Sequence, residues 1–153
     1  MSNIKDLDNV RKEHIFELEN LKKYLNSKID IINEKISNIK FNDCNCSNSS
    51  DSSKNKMKSI EEIRVLQFTM GQSNPTFLIE LNNFVKLVLR KKPPGILLKK
   101  AHMVDREFKI ITGLSSVKFP VPKPILYCED KDVIGTEFFL MTYVEGKIFR
   151  DLR

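Results

Sequence analysis

Apolar side chains recur along the first forty residues at helical spacing. Leu18, Leu21, Leu25, Ile29, Ile32, Ile36 and Ile39 are separated by steps of three or four. Such steps set one apolar stripe along one side of a helix, and Glu and Lys fill the other faces. The pattern predicts helical structure from about Glu13 to Ile39, as one helix or as two broken near Asn26-Ser27. A helix packed on its own domain is preferred to a coiled coil, for which the pattern is short. Residues 1–10 read as a loose polar start. Residues 42–58 are almost free of apolar side chains. They cannot offset their ordering entropy by burial and are expected to form a disordered low-complexity linker.

From Ile60 onward the period shortens. Ile63, Val65, Leu66, Phe68 and Met70 predict a first strand, Gly71 to Pro75 a turn, and Thr76 to Leu81 a second strand. Asn82-Asn83 predicts a tight hairpin turn, because Asn tolerates positive φ. Phe84 to Arg90 then reads as a third strand, ended by Pro93-Pro94-Gly95. Met103, Val104, Phe108, Ile110, Ile111 and Leu114 predict a helix over 101–114, with Gly113 near its end. The prolines of 120–124 make a stiff connector. Ile125 to Cys128 and Glu137 to Val144 predict a final strand pair around a turn at Asp132–Gly135. The fold class is α+β: a five-stranded antiparallel sheet with one packed helix, preceded by an N-terminal helix.

Composition narrows the classes of function. The 153 residues are 41% hydrophobic and carry a formal charge of +6. That balance suits an anionic ligand, or only a solvated surface. The lysines are scattered rather than clustered with aromatics, which argues against nucleic acid. No run approaches the ~20 apolar residues of a membrane span, and the charged first twenty residues lack a secretory h-region. Three cysteines without framework spacing fit an intracellular, reducing compartment, whether cytoplasm, peroxisome or mitochondrion. Cys44 and Cys46 lack further ligands for zinc, and Cys128 reads as a small buried hydrophobe.

Candidate chemistry lies on the sheet elements. Binding a nucleotide needs backbone N–H groups in a small loop, a cation for the phosphates, and a carboxylate that holds the cation. Gly71-Gln72-Ser73-Asn74 is the candidate loop, Arg90 at the end of the third strand the candidate cation, and Glu107 on the helix the candidate carboxylate. A strand-borne cation paired with a helix-borne Glu is the protein-kinase arrangement. Taken alone, each fits a bland reading: a hairpin turn, a solvated arginine, an exposed glutamate. Asp105 and Arg106 are alternatives for the pairing. The joint order on the required elements favours the nucleotide reading. Met141 fits the large residue that shapes a base pocket, and Thr142, Tyr143 and Val144 fit the connector that follows it.

These motifs carry a family resemblance over roughly residues 63–153. The run 71–77, the strand and turn 88–95, the helix segment Asp105-Arg106-Glu107-Phe108, the connector 121–124, and the segments 133–138 and 145–151 resemble the N-terminal lobe of the aminoglycoside phosphotransferase/choline kinase family. Within it, the likeness is to the kinase-like domain that precedes the dehydrogenase in acyl-CoA dehydrogenase family members ten and eleven. Arg90 stands where protein kinases carry lysine. The resemblance implies ATP as cofactor, with Mg2+ in a full-length relative, and phosphorylation of a small-molecule hydroxyl, such as that of a hydroxyacyl-CoA. It assigns cofactor binding to Gly71, Gln72, Ser73, Asn74, Arg90, Glu107, Met141, Thr142, Tyr143 and Val144. It assigns no catalytic or metal residue here, because the family's His-Gly-Asp loop and metal-binding Asp fall beyond Arg153. The expected organisation is a helical segment over 1–41, a linker over 42–58, and the lobe over 59–153. On this reading the chain binds nucleotide and is inactive alone. The alternative is a non-catalytic interaction module built on a degenerate lobe.

Overall fold

The computed structural model of the chain describes residues 7–37, 56–69, 74–93 and 103–146. In chain order the elements are strand β1 (Leu7–Asp8), helices α1 (Leu18–Ser27) and α2 (Ile29–Ser37), and strands β2 (Ile63–Phe68), β3 (Thr76–Leu81) and β4 (Val85–Lys91). Helix α3 (Val104–Ser116), strand β5 (Pro124–Cys128), the short helix α4 (Lys131–Ile134) and strand β6 (Phe138–Thr142) follow. The sheet is antiparallel throughout, in the order β1-β2-β3-β4-β6-β5. Its five main strands are those the alternation predicts. The sixth, β1, comes from the start that reads as loose: Leu7 pairs with Phe68 and Asp8 with Gln67.

Period-two alternation sorts the strand residues onto two faces. Phe77, Ile79, Leu81, Val85, Leu87, Leu89, Phe138 and Leu140 face a core shared with Leu21, Leu25, Ile32 and Ile36. The amphipathic stripe of α1 and α2 is therefore spent inside its own domain, as expected. The helix breaks at Lys28 (φ −111°), just beyond the expected point. α3 covers the other face at β5 and β6. Phe108 anchors it, with its ring centroid 5.6 Å from those of Tyr127 and Phe139.

The turns follow local chemistry with three departures. Asn82 and Asn83 both take positive φ (49° and 61°), and Phe84 N–H donates to the Leu81 carbonyl, as in a type I′ turn. However, Leu81 pairs with Val85, so Phe84 belongs to the turn rather than to the strand. Gly113 lies inside α3, which runs on to Ser116; the left-handed residue beyond it is Lys118 (φ 58°). The expected turn at 132–135 is one helical turn. It is capped by Asp130, whose Oδ1 accepts from Asp132 N–H, and ended by Gly135 at φ 85°.

Three asparagines fix the approach to β2. Asn33 bonds both backbone groups of Met57, accepting its N–H at 2.9 Å and donating to its carbonyl at 2.8 Å. Asn26 treats Ile60 in the same way. Asn82 accepts from the N–H groups of Glu61 and Glu62 and donates to the Ser59 carbonyl. Met57 is 4% exposed and part of the core, so the linker expected over 42–58 gives way to packed structure before its end. Residues 42–55 of that linker lie outside the described residues.

These bonds make a stability prediction. Asn33 is 5% exposed, so Asn33→Ala strands a buried N–H and a buried carbonyl of Met57, at a cost of about 2–4 kcal/mol. Urea denaturation should show a clear loss of midpoint for Asn33→Ala. Ser37→Ala, which removes one exposed bond to Glu34, should barely move it. Equal midpoints for the two variants would mean that this docking contributes no stability.

Candidate functional site

Successive residues of β4 point to opposite faces, which separates two cations. Arg90 faces the side covered by α3, and Lys91 faces the side covered by the N-terminal segment. Arg90 Nε lies 2.6 Å from Glu107 Oε2. That N–H is not aligned on the oxygen, so the contact is an ion pair rather than a directed hydrogen bond. Nη2 reaches Glu107 Oε1 at 3.4 Å, and Nη1 reaches Thr76 Oγ1 at 3.4 Å. Both side chains of the pair are about one-third exposed, so solvent screens part of the attraction. Register explains the third member: Thr76 sits directly opposite Arg90 on β3.

The expected pairing of Arg90 with Glu107 therefore forms. Asp105, the alternative carboxylate, is 3.8 Å from Lys109 one turn along α3, and Arg106 is exposed. Asn74 joins the pair: its Nδ2 donates to Glu107 Oε1 at 2.9 Å, and it is 3% exposed. Gly71, Gln72 and Ser73 lie outside the described residues. Next to Arg90 on the same face, register aligns Leu66, Leu78, Val88 and Met141 in one row across four strands. Met141 thus shares the face of the ion pair.

The connector is less uniform than the sequence suggests. Thr142 is buried. Its N–H donates to the Lys123 carbonyl, and its hydroxyl accepts the Lys123 N–H. Its polar groups are committed to the proline-rich connector rather than presented to a ligand. Tyr143 is half-buried, and Val144 is exposed. Tyr127, on the α3 face, donates to Glu137 at 3.0 Å. Burial and then this carboxylate push its phenol well above the usual range.

Sequence reasoning missed the roles of Thr76, Leu78 and Val88. A strand-register count from the Asn82-Asn83 turn could have found them, had the extra turn residue been legible. Among the described residues, no group of three or more His, Cys, Asp or Glu could hold a metal ion. No described helix is long and apolar enough to cross a membrane.

A two-faced antiparallel sheet, with a strand cation held by a carboxylate on the following helix, defines the amino-terminal lobe of a kinase-like phosphotransferase. The sequence profile of the phosphotransferase enzyme family (APH) matches residues 64–153, and the chain belongs to that family. Over 90 residues it is 59% identical to "Acyl-CoA dehydrogenase family member 11" of Homo sapiens, a match spanning 59% of this chain and 11% of that protein. "Acyl-CoA dehydrogenase family member 10" of Mus musculus is 49% identical over 89 residues, spanning 58% of this chain and 8% of that protein. The chain thus spans about a tenth of the length of these curated relatives. A crystal structure titled as a putative aminoglycoside phosphotransferase from Ralstonia eutropha JMP134 superposes with a TM-score of 0.57. It is 25% identical, and the match covers 90% of this chain and 30% of that one.

Lys91 supplies a test of the opposite face. It is 3% exposed, and its Nζ sits 5.1 Å from the Phe16 ring centroid and 5.9 Å from that of Phe77, donating to the His14 carbonyl at 3.3 Å. Burial lowers its pKa below the ordinary lysine value. The unfolded chain then holds that proton more tightly than the folded one. Stability from this group should therefore rise as pH climbs from the folded value to the ordinary one. Lys91→Met should be at least as stable as wild type at neutral pH. The difference should move toward wild type as the buffer is taken to about pH 10. Chemical denaturation of both proteins across that range checks it, and a pH-independent difference would contradict it.

Proposed function

We propose that this lobe binds the phosphates of ATP through Arg90, oriented by Glu107, and forms the nucleotide-binding part of an enzyme that phosphorylates a small-molecule hydroxyl. The observation that carries the reading is the ion pair between β4 and α3. Glu107 neutralises and orients the guanidinium, which is a fork suited to phosphate oxygens. The row containing Val88 and Met141 lies beside it on the same face, where a base could meet apolar side chains. Gly71, Gln72 and Ser73, which precede Asn74 in the sequence, are the proposed source of backbone N–H donors. Thr142 is left out of that role because its polar groups are already bonded.

Phosphoryl transfer rests on positioning and on metal-stabilised charge. The described residues offer the positioning cation without a cluster of metal carboxylates, so the chain alone is proposed to bind ATP weakly and to transfer nothing. A hydroxyl on an acyl-CoA-type molecule is the proposed acceptor for a longer relative. Its support is only the name of the relatives. A second reading, a lobe that docks a partner, has a specific observation in its favour: Ile110, Val117 and Phe119 on and just beyond α3 are 52%, 72% and 56% exposed.

Titration of the chain with ATP and Mg2+, followed by NMR, separates the readings. ATP should shift resonances of Asn74, Thr76 and Arg90. Arg90→Ala should weaken binding about 10- to 100-fold, the loss expected for a charged hydrogen-bonding group. Lys109→Ala, which removes an exposed cation two residues beyond Glu107, should bind as wild type does. No shift near Arg90 at about 10 mM ATP would remove the nucleotide reading and leave the docking one.

A further inference from the structure

We propose that Asn74 is a positioning residue: it does not touch the ligand but fixes Glu107, and through Glu107 it aims Arg90. Glu107 stands on α3, which packs mainly on β5 and β6, whereas Arg90 stands on β4. A glutamate spanning that gap has three rotatable bonds and needs a second tether to hold one pose. Asn74 provides it from a third element, the approach to β3. Its Nδ2 donates to Oε1, which also accepts from Arg90 Nη2, while Arg90 Nε lies against Oε2, so both carboxylate oxygens are engaged and Oε1 joins Asn74 to Arg90.

Asn74 is itself held in place. It precedes Pro75, which restricts its backbone to extended conformations. The Pro75 carbonyl accepts Lys91 N–H at 3.0 Å, and the Asn74 carbonyl accepts the Thr76 hydroxyl at 3.1 Å. Thr76 in turn meets Arg90 Nη1, closing a ring of four residues, Asn74, Glu107, Arg90 and Thr76, in which the Asn74 backbone carbonyl makes the link to Thr76. At 3% exposure the Asn74 amide points into the lobe, which distinguishes it from a phosphate ligand. The inference depends on the nucleotide reading only where its test measures affinity.

The chemistry of an amide at this place gives a distinctive signature. Asn74→Asp keeps the shape but sets a second carboxylate against Glu107. Two carboxylates that close cannot both ionise freely, so one binds a proton at raised pH. Once protonated, the introduced acid donates to Glu107 as the amide did. The charged and titratable groups around the pair are Arg90 on β4, Asp105 with Lys109 on α3, and Tyr127 on β5 with Glu137 on the approach to β6. Among them Arg90 contacts Glu107 directly.

The test uses the whole chain with 15N-labelled arginine, and ATP with Mg2+ as the probe. Exchange of the Arg90 Nη protons, hydrogen-bonded to Glu107 and Thr76, should be slow in wild type and at least about tenfold faster in Asn74→Ala, without any nucleotide present. ATP affinity should fall about tenfold in Asn74→Ala at every pH. In Asn74→Asp it should fall at neutral pH and recover, relative to wild type at the same pH, on acidification to about pH 5. Loss of stability alone would give neither the faster Arg90 exchange nor the acid recovery. If wild type binds no ATP but Asn74→Ala frees the Arg90 Nη protons, the positioning stands and the nucleotide reading fails. If Arg90 exchange is unchanged in both folded variants, the positioning role is overturned whatever ATP does. Should Asn74→Ala not fold, the isosteric Asn74→Asp carries both measurements.

Discussion

Two adjacent cations leave β4 on opposite sides, and each face of the sheet is organised around one of them. Arg90 is met by a carboxylate from α3 and a hydroxyl from β3. Lys91 is met by two aromatic rings and a carbonyl, contributed mainly by the segment before α1. The first environment offers full counter-charge and partial solvent. The second offers only ring quadrupoles and one acceptor, so its ammonium is held at a cost in desolvation. A one-residue slip of β4 would exchange them, setting a lysine against Glu107 and an arginine into an apolar cage. The hydrophobic pattern of β4 forbids that slip, because Val85, Leu87 and Leu89 would leave the core with it. Core packing therefore sets which cation faces the candidate site.

The N-terminal segment is tied to the lobe by polar contacts as much as by apolar ones. Gln67 on β2 accepts from Arg11 N–H, and its amide nitrogen lies 3.0 Å from His14 Nδ1. The backbone donor fixes which end of the amide is which, so the nitrogen faces the imidazole, whose Nδ1 then acts as the acceptor. Phe16 packs edge-on against Phe77 at 5.5 Å, and Tyr24 against Phe138 at 5.8 Å. Together with Asn26 and Asn33, these contacts make the helices part of the sheet's back face rather than a separate module. The expected division into a helical segment and a lobe describes sequence texture better than it describes packing.

Much of the fold was legible because its signals are local. Alternating Val, Leu and Ile placed the strands, and a stripe at steps of three and four placed α1 and α2. The prolines placed the connector. The Arg90–Glu107 pair was legible because strand end and helix start are close in sequence, and a known arrangement supplies their roles. What escaped depends on distant partners. Leu7-Asp8 carries no strand signal of its own and pairs only because β2 offers an edge. Met57 sits in a polar run and is buried because Asn33, 24 residues earlier, captures its backbone. Asn74 looked like a loop residue, since nothing in its neighbourhood reveals Glu107. Thr76 was missed through a single count: the pairing of Leu81 with Val85, instead of Phe84, decides that Thr76 and not Pro75 stands opposite Arg90.

That register also bears on why an arginine serves at this position. The guanidinium meets Glu107 through Nε and Nη2 while Nη1 turns to Thr76, so one rigid plane spans a helix carboxylate and a strand hydroxyl. A lysine ammonium is a single point charge on a flexible stem. It could approach Glu107, but it could not hold the hydroxyl from a separate nitrogen in a fixed geometry. Each terminal nitrogen of an arginine carries two hydrogens, so each can contact the protein and still offer a donor to an oxygen of a ligand. On the proposed reading, the protein uses the guanidinium plane to set orientation and leaves its outer edge for the phosphates. Loss of Thr76 or Asn74 would leave the charge of Arg90 intact while freeing that plane to rotate. Orientation, more than charge, is then the property that this corner of the sheet is built to supply.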